Sequence, residues 1–354
     1  MTEHNVRSRH SIGQLCRSWR SLTVLLLVML VLPVAASGAE PLRVGYFPNM
    51  THAQALVGKE RRIFEQKVGG AIDWKAFNAG PSAMEALLAG QLDLAYVGPN
   101  PAVNAFMRSR GKALRIVAGA ASGGAALVVP KESTIASARD LKGKKVAAPE
   151  LGNTQDVALR HWLKSQGLAA GRDLRVVSAK NPDIFLFFQR RQVDAAWVPE
   201  PWLTRLVQQA NGRILVEERT LWPGGTFPTT VLVARSEFLQ KQPEAVRRFL
   251  AGHLEAGDWI RKHPGEAKAA INAQLSAVVG KPLPAAVLNE AFTRVLLTHD
   301  PLAAQLKSAA GRAGELGYLP KERVFPLGRL GEIFDLSLLN GLLQERHLQP
   351  VAGR

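Results

Sequence analysis

Short apolar runs alternate with helix-like segments through the first two thirds of the chain, and this alternation limits the fold more than any other feature of the sequence. The runs are LRVGYF (42–47), AIDWKAF (71–77), LDLAYV (92–97), ALRIVAG (113–119), AALVVP (125–130), KVAAP (145–149), LRVVSA (174–179), DAAWV (194–198), RILVE (213–217) and TVLVAR (230–235). Many of the intervals between them carry helix start and stop residues. Strands that alternate with helices build α/β folds on largely parallel sheets. Beyond Glu237 the pattern turns helical. In PEAVRRFLAGHLEAGDWIRK, Val246, Phe249, Leu250, Leu254 and Ile260 fall on one helical face.

AALVVPKES and TVLVARSEF are alike, each an apolar strand with a charged exit. A chain that leaves one lobe at the first and returns at the second carries an inserted lobe. The expected division is 40–131 for the first part of lobe I, 132–230 for lobe II, and 231–354 for the return to lobe I with C-terminal helices. Two strand crossings then form the hinge.

The ends narrow the class further. Arg7, Arg9, Arg17 and Arg20 precede the apolar run LTVLLLVMLVLPVAA, and Ser37 and Ala39 place small residues before Glu40. This is the pattern of a signal peptide over 1–39, and the run is shorter than the ~20 residues of a membrane span. The chain is therefore expected to be exported. The single cysteine, Cys16, falls in the leader, so the mature chain relies on an ordinary hydrophobic core. Loss of four Arg and one Glu with the leader takes the net charge from +16 to +13. The cations are scattered and aromatics are few, which argues against nucleic acid as a partner.

Four strand-to-helix joins carry capping residues. Thr51 and Gln54 have capping-box spacing, with Gly58 as the stop. In NAGPSAMEALLAG, Pro81 suits the first helical turn, or Ser82 pairs with Glu85, and Gly90 closes the helix. In VGPNPAVNAF, Asn100 caps ahead of Pro101, and in ELGNTQDVALRHWLKSQG, Asn153 caps and Gly167 ends the helix. Each join offers unpaired backbone N–H groups and the positive end of a helix dipole. In open α/β sheets such joins lie where ligands bind. The expected ligand is thus a small anion in a cleft.

GYFPNMTHAQALVG, FNAGPSAMEALLAGQLDLAYVGPNPAV, AGAASGGAALVV, LKGKKVAAPELGNTQDVALRHWL, DAAWVPEPW and LWPGGTFPTTVLVAR together resemble the solute-binding proteins of nitrate, sulfonate and taurine ABC importers. The resemblance covers roughly residues 42 to 260, and PNMTHA and WVPEPW look like an aliphatic sulfonate branch. It implies a two-lobed periplasmic binding protein fold of the second type. The lobes close over an oxyanion (sulfonate, taurine, sulfate ester or nitrate) and deliver it to an inner-membrane permease and ATPase. The protein is expected to be a monomer, without cofactor or metal.

By position, Asn49, Thr51, His52, Gly80, Ser82, Gly98 and Asn100 are the donors expected from the first lobe. Ser122 and Gly123 form a further donor loop, and Asn153, Thr154 and Gln155 come from the second lobe. Hydroxyls, amides and backbone N–H groups suit an oxyanion without burying a second full charge. His52 either donates to the ligand or packs on a strand, and as a histidine it can switch affinity near neutral pH. Glu200 either caps a helix, pairs with an Arg of the protein, or meets an amine of the ligand. Trp202 and Trp222 either wall an organic group or pack in the core. The remaining histidines of the mature chain lack metal-ligand spacing. No P-loop, nucleophile elbow or zinc-protease motif argues for an enzyme. The alternatives are a binding protein for a thiamine-pyrimidine precursor or other heteroaromatic, or a secreted enzyme or sensor on the same fold. Only three tyrosines, Tyr46, Tyr96 and Tyr318, are available to stack on a heteroaromatic.

Overall fold

Every one of the ten apolar runs is a strand in the computed structural model, which describes residues 1–2, 40–321 and 324–353. The expected leader, 1–39, lies outside the described residues apart from Met1 and Thr2. The strands and helices of the described residues belong to the unit Pro41–Arg354.

One sheet contains β1 (Leu42–Tyr46), β2 (Ile72–Ala76), β3 (Leu94–Val97), β4 (Leu114–Gly123), β10 (Pro228–Arg235) and β11 (Val295–Leu297), in the order β11-β4-β10-β3-β1-β2. The other contains β5 (Ala125–Pro130), β6 (Lys145–Ala148), β7 (Arg175–Ser178), β8 (Ala195–Pro199) and β9 (Gly212–Glu217), in the order β7-β6-β8-β5-β9. The two share a plan. β1 pairs in parallel with β2 and β3, and β6 pairs in parallel with β7 and β8. An antiparallel strand then follows in each, β10 against β3 and β5 against β8. Central strands β3 and β8 are buried along their whole length, which is why they read as unbroken apolar runs. Edge strands β2 and β7 are partly exposed and carry Asp73, Lys75 and Arg175.

The chain passes from the first sheet to the second at Gly123–Ala125, where Gly123 and Gly124 take φ of 78° and 71°. It returns between Glu217 and Pro228. β5 is therefore a strand of the second sheet, although the division expected from sequence keeps it in the first lobe, 40–131.

Thirteen helices among the described residues cover the sheets. They are α1 (Ala53–Glu60), α2 (Ile63–Val68), α3 (Gly80–Leu88), α4 (Pro99–Arg108), α5 (Thr154–Ser165), α6 (Asn181–Gln189), α7 (Trp202–Gln209), α8 (Ser236–Lys241), α9 (Pro243–Lys262), α10 (Pro264–Val279), α11 (Ala285–Arg294), α12 (Ala303–Glu315) and α13 (Ser337–Glu345). On one face of the first sheet, Val246, Phe249, Leu250, Leu254 and Ile260 of α9 are buried, as their spacing predicts. Leu339, Leu342 and Leu343 of α13 join the same cluster, so the long C-terminal stretch completes the core of the first sheet. Gly58 does not end a helix. It lies inside α1, where a Cβ would come within 2.0 Å of the Phe64 ring, so its role is close packing against α2.

Candidate binding cleft

The parallel strands deliver five helix starts to one place. The chain leaves β1 through a 3-10 turn, Met50–His52, into α1; β2 leads through Asn78 and Ala79 to α3; β3 leads through Gly98 to α4. From the second sheet, β6 leads through Pro149 and Asn153 to α5, and β7 leads to α6 at Asn181. All five lie at carboxyl ends of parallel strands, with helix dipoles directed positive end inward. A cavity between the sheets is lined by Phe47, Asn49, Thr51 and His52, then by Asn78, Ala79, Gly80, Gly98 and Pro101. Across from them stand Pro149, Asn153, Thr154, Gln155 and Asn181, with Pro199 and Thr229 closing the wall.

The hydrogen bonds around this cavity sort its side chains by polarity. Asn153 Oδ1 accepts the Asp156 N–H at 2.8 Å, the cap expected from sequence, and its amide NH2 is left over. Asn49 Oδ1 accepts from Trp202 Nε1 at 3.0 Å, again leaving the NH2. His52 Nδ1 accepts the Phe47 N–H at 3.2 Å, so the neutral ring carries its proton on Nε2. Thr154 Oγ1 and Asn181 Oδ1 are buried and unpartnered. At Asn49, His52 and Asn153 the acceptor atoms are consumed by the fold and the N–H groups remain, whereas Asn181 keeps a free acceptor. Among the described residues, His52 is the one ionisable residue of the lining, and burial pushes its pKa down to about 3. The ring is thus neutral near pH 7, which overturns the expectation of a histidine titrating there.

The void measures about 20 Å3. As a sphere it has a radius of about 1.7 Å for water centres, and adding the water radius of about 1.4 Å gives about 3.1 Å. That is close to the outer reach of a sulfur or nitrogen atom with its ring of oxygens.

Asn49, Thr51, His52, Gly80, Gly98, Asn153, Thr154 and Gln155, all singled out from sequence, line the cavity. Six others do not. The Ser82 hydroxyl lies 3.1 Å from the Ala79 carbonyl and 3.2 Å from Glu150 Oε2, so it links the two sides instead. Asn100 is the second residue of α4 and is buried beyond the cavity; Gly98 is the cap. Ser122 and Gly123 are the last residues of β4 rather than a loop, and Ser122 Oγ accepts the Phe227 N–H at 3.2 Å. Glu200 is fully buried, with one carboxylate oxygen 2.8 Å from Thr204 Oγ1 and the other 3.1 Å from Thr204 N. Its Oε1 also lies 3.4 Å from Arg294, so a cation of the protein pairs with it. Trp202 is likewise absent from this lining. Trp222 stacks on Phe227 with Arg312 over its ring, which is a packing role. The Thr51–Gln54 capping box does not form either, because Gln54 Nε2 donates to the Ala120 carbonyl at 2.7 Å.

Phe47, Asn78, Ala79, Pro101, Pro149, Asn181, Pro199 and Thr229 line the cavity without having been singled out. A signal existed for Asn181. KNPDIF has proline in the first helical turn, as do the joins at Pro81 and Pro101.

Direct contacts hold the two sides together. The Met50 N–H donates to the Glu200 carbonyl at 3.0 Å, and Tyr318 OH donates to Asp156 Oδ2 at 2.8 Å. Two α/β sheets joined by two crossings, with a cavity of donors between them, make a periplasmic binding protein fold. The chain belongs to the NMT1-like family, whose family model matches residues 35–276. A Brucella abortus chain, named only as a binding protein, is 32% identical over 248 residues, 69% of this chain and 75% of that one. The taurine-binding periplasmic protein of Escherichia coli K12 is 29% identical over 205 residues, 57% of this chain and 61% of that one. Among solved structures, the alkanesulfonate-binding protein SsuA of Xanthomonas axonopodis pv. citri, bound to MOPS, superposes with a TM-score of 0.68. It is 24% identical, and the match covers 81% of this chain and 96% of that one.

Proposed function

We propose that this chain is the extracytoplasmic solute-binding component of an ABC importer, and that it captures a small oxyanion, a sulfonate first of all, between two lobes. One observation carries the reading. Asn49, His52 and Asn153 have their acceptor atoms tied to the fold and their N–H groups left over, which suits a ligand that only accepts hydrogen bonds. Helix starts add positive potential without a formal counter-charge, so binding buries one ion and not two.

Asn49, Thr51, His52, Gly98, Asn153, Thr154 and Asn181 are the side of the cleft that meets the oxyanion. The lobes divide at Gly124 and within residues 218–227, and these two crossings are the hinge. Opening and closing there is a population shift stabilised by contacts that exist only when the cleft is shut. Residues 1–39 direct export and are removed, which places the mature protein in the periplasm beside its permease and ATPase. The family's binding proteins support a binding role over a catalytic one. The void's small size disfavours a heteroaromatic in this place.

The test is a thermal-shift and calorimetric screen of the chain from Glu40 onward against nitrate, sulfate, alkanesulfonates, taurine and a thiamine-pyrimidine precursor. An oxyanion at a hundredfold excess over its Kd stabilises the fold by about 2.7 kcal/mol. A shift with the heteroaromatic alone, or no shift with any anion, overturns the reading.

A further inference from the structure

Beside the oxyanion cavity lies a second one, of about 210 Å3. The two share Asn49, Asn78 and Asn181, so a ligand seated in the first has a way into the second. Asn181, at this junction, is 4% exposed, and its side-chain oxygen has no partner. Pro48, Ala76, Phe77, Pro182, Trp202 and Val278 give the second cavity apolar walls. Such walls gain by covering methylene groups.

The charges are one-sided. Among the described residues, Lys180 is the one ionisable residue in the second lining, and no carboxylate lines either cavity. Lys180 is exposed, and its ammonium has no hydrogen-bond or ion-pair partner among the described residues. Two acids of the neighbouring segments lie elsewhere. Glu200 is held by Thr204 and Arg294, and Asp183 is in neither lining. An ammonium on the far end of the ligand would lose water here, gain no anion and meet a like charge. A carboxylate in the same place would meet an opposite charge.

We infer that Lys180 sets the charge preference at the far end of the ligand's organic chain, so that short sulfonates ending in a carboxylate bind in preference to those ending in an ammonium. The inference rests on the first cavity being the oxyanion site. It also separates this chain from its 29%-identical relative, whose name specifies taurine, an aminosulfonate.

Calorimetry on the chain from Glu40 onward, with sulfoacetate, propane-1-sulfonate and taurine, tests it. The expected order of affinity is sulfoacetate, then propane-1-sulfonate, then taurine. About tenfold or more separates the two ends at low salt, and the gap shrinks at about 0.5 M salt. Lys180→Glu inverts the order of sulfoacetate and taurine, and Lys180→Gln brings their ratio towards one. Lys180 precedes α6 without making a side-chain cap, so both variants retain the native contacts, and ligand-free melting checks that they fold. Taurine binding as tightly as sulfoacetate to the wild type, or a ratio unmoved by either substitution, overturns the inference while the oxyanion reading stands. No binding of propane-1-sulfonate or of the other two overturns both.

Discussion

Gly98→Ala is the sharpest test of how the cleft closes. Gly98 has φ −67° and ψ 153°, a conformation open to any residue, so the backbone offers no objection to alanine. The obstacle lies across the cleft, where a Cβ on Gly98 would stand 2.1 Å from Thr154 Oγ1 and 3.2 Å from Thr154 Cβ. Ordinary contact begins at 3.4 Å, so the shortfall at the hydroxyl is 3.4 − 2.1 = 1.3 Å. Either Thr154 turns its hydroxyl out of the cavity or the two sides part by about that distance. Both remove a donor from the ligand. Overpacking of this kind costs about 1–3 kcal/mol, which corresponds to a loss of about 5- to 150-fold in affinity. The cost falls on the closed form, so calorimetry with the best oxyanion registers it while ligand-free melting stays near the wild-type value. Gly98→Ala combined with Thr154→Ala is then no worse than Thr154→Ala alone, the mark of a coupled pair. Wild-type affinity in Gly98→Ala refutes the reasoning. So does a ligand-free destabilisation as large as the binding loss, since the contact would then belong to the permanent fold.

Other consequences can be measured as directly. Affinity for the oxyanion stays level from about pH 5.5 to 8, because burial keeps His52 neutral there with a pKa of about 3; a calorimetric pH series checks it. Burial pushes the Glu200 pKa up from 4.5 to about 7 despite the neighbouring Arg294. The buried acid therefore adds stability that is complete below pH 4.5 and lost as pH rises through 7. Relative to Glu200→Gln, denaturant titration shows the wild type losing about 3 kcal/mol across that range. Arg294→Ala takes away the cation that meets Glu200, Glu217 and Glu290, and the denaturant midpoint falls more at pH 8 than at pH 6, since only the ionised Glu200 needs a partner.

The strands were legible because parallel strands covered on both faces are written as apolar runs, LAYV of β3 and AAWV of β8 among them. β11 was not legible. It has three residues, lies directly against the end of α11, and becomes a strand only by pairing with β4. Ser122 and Gly123 look like loop because small residues follow an apolar stretch, yet the pairing of Pro228 with Ser122 continues the ladder through them. The capping residues at the cleft could be found by their types, since a helix start needs the same donors and acceptors whatever it faces. Their orientation could not. Asn49 shows its amide to the cavity because Trp202 takes its carbonyl from 153 residues away. The fate of Glu200 likewise depends on Arg294, 94 residues further on. Local spacing carries no trace of such partners.

The unequal continuity of the two sheets has a consequence for synthesis. Every strand of the second sheet lies within residues 125–217, one uninterrupted stretch, whereas the first sheet needs β10 and β11, and its core needs α13 near the end of the chain. As the polypeptide emerges from its N-terminus, β3 and β4, which flank β10, wait for a partner made more than a hundred residues later. The inserted half is ready to assemble first, and the half that begins the chain is finished last.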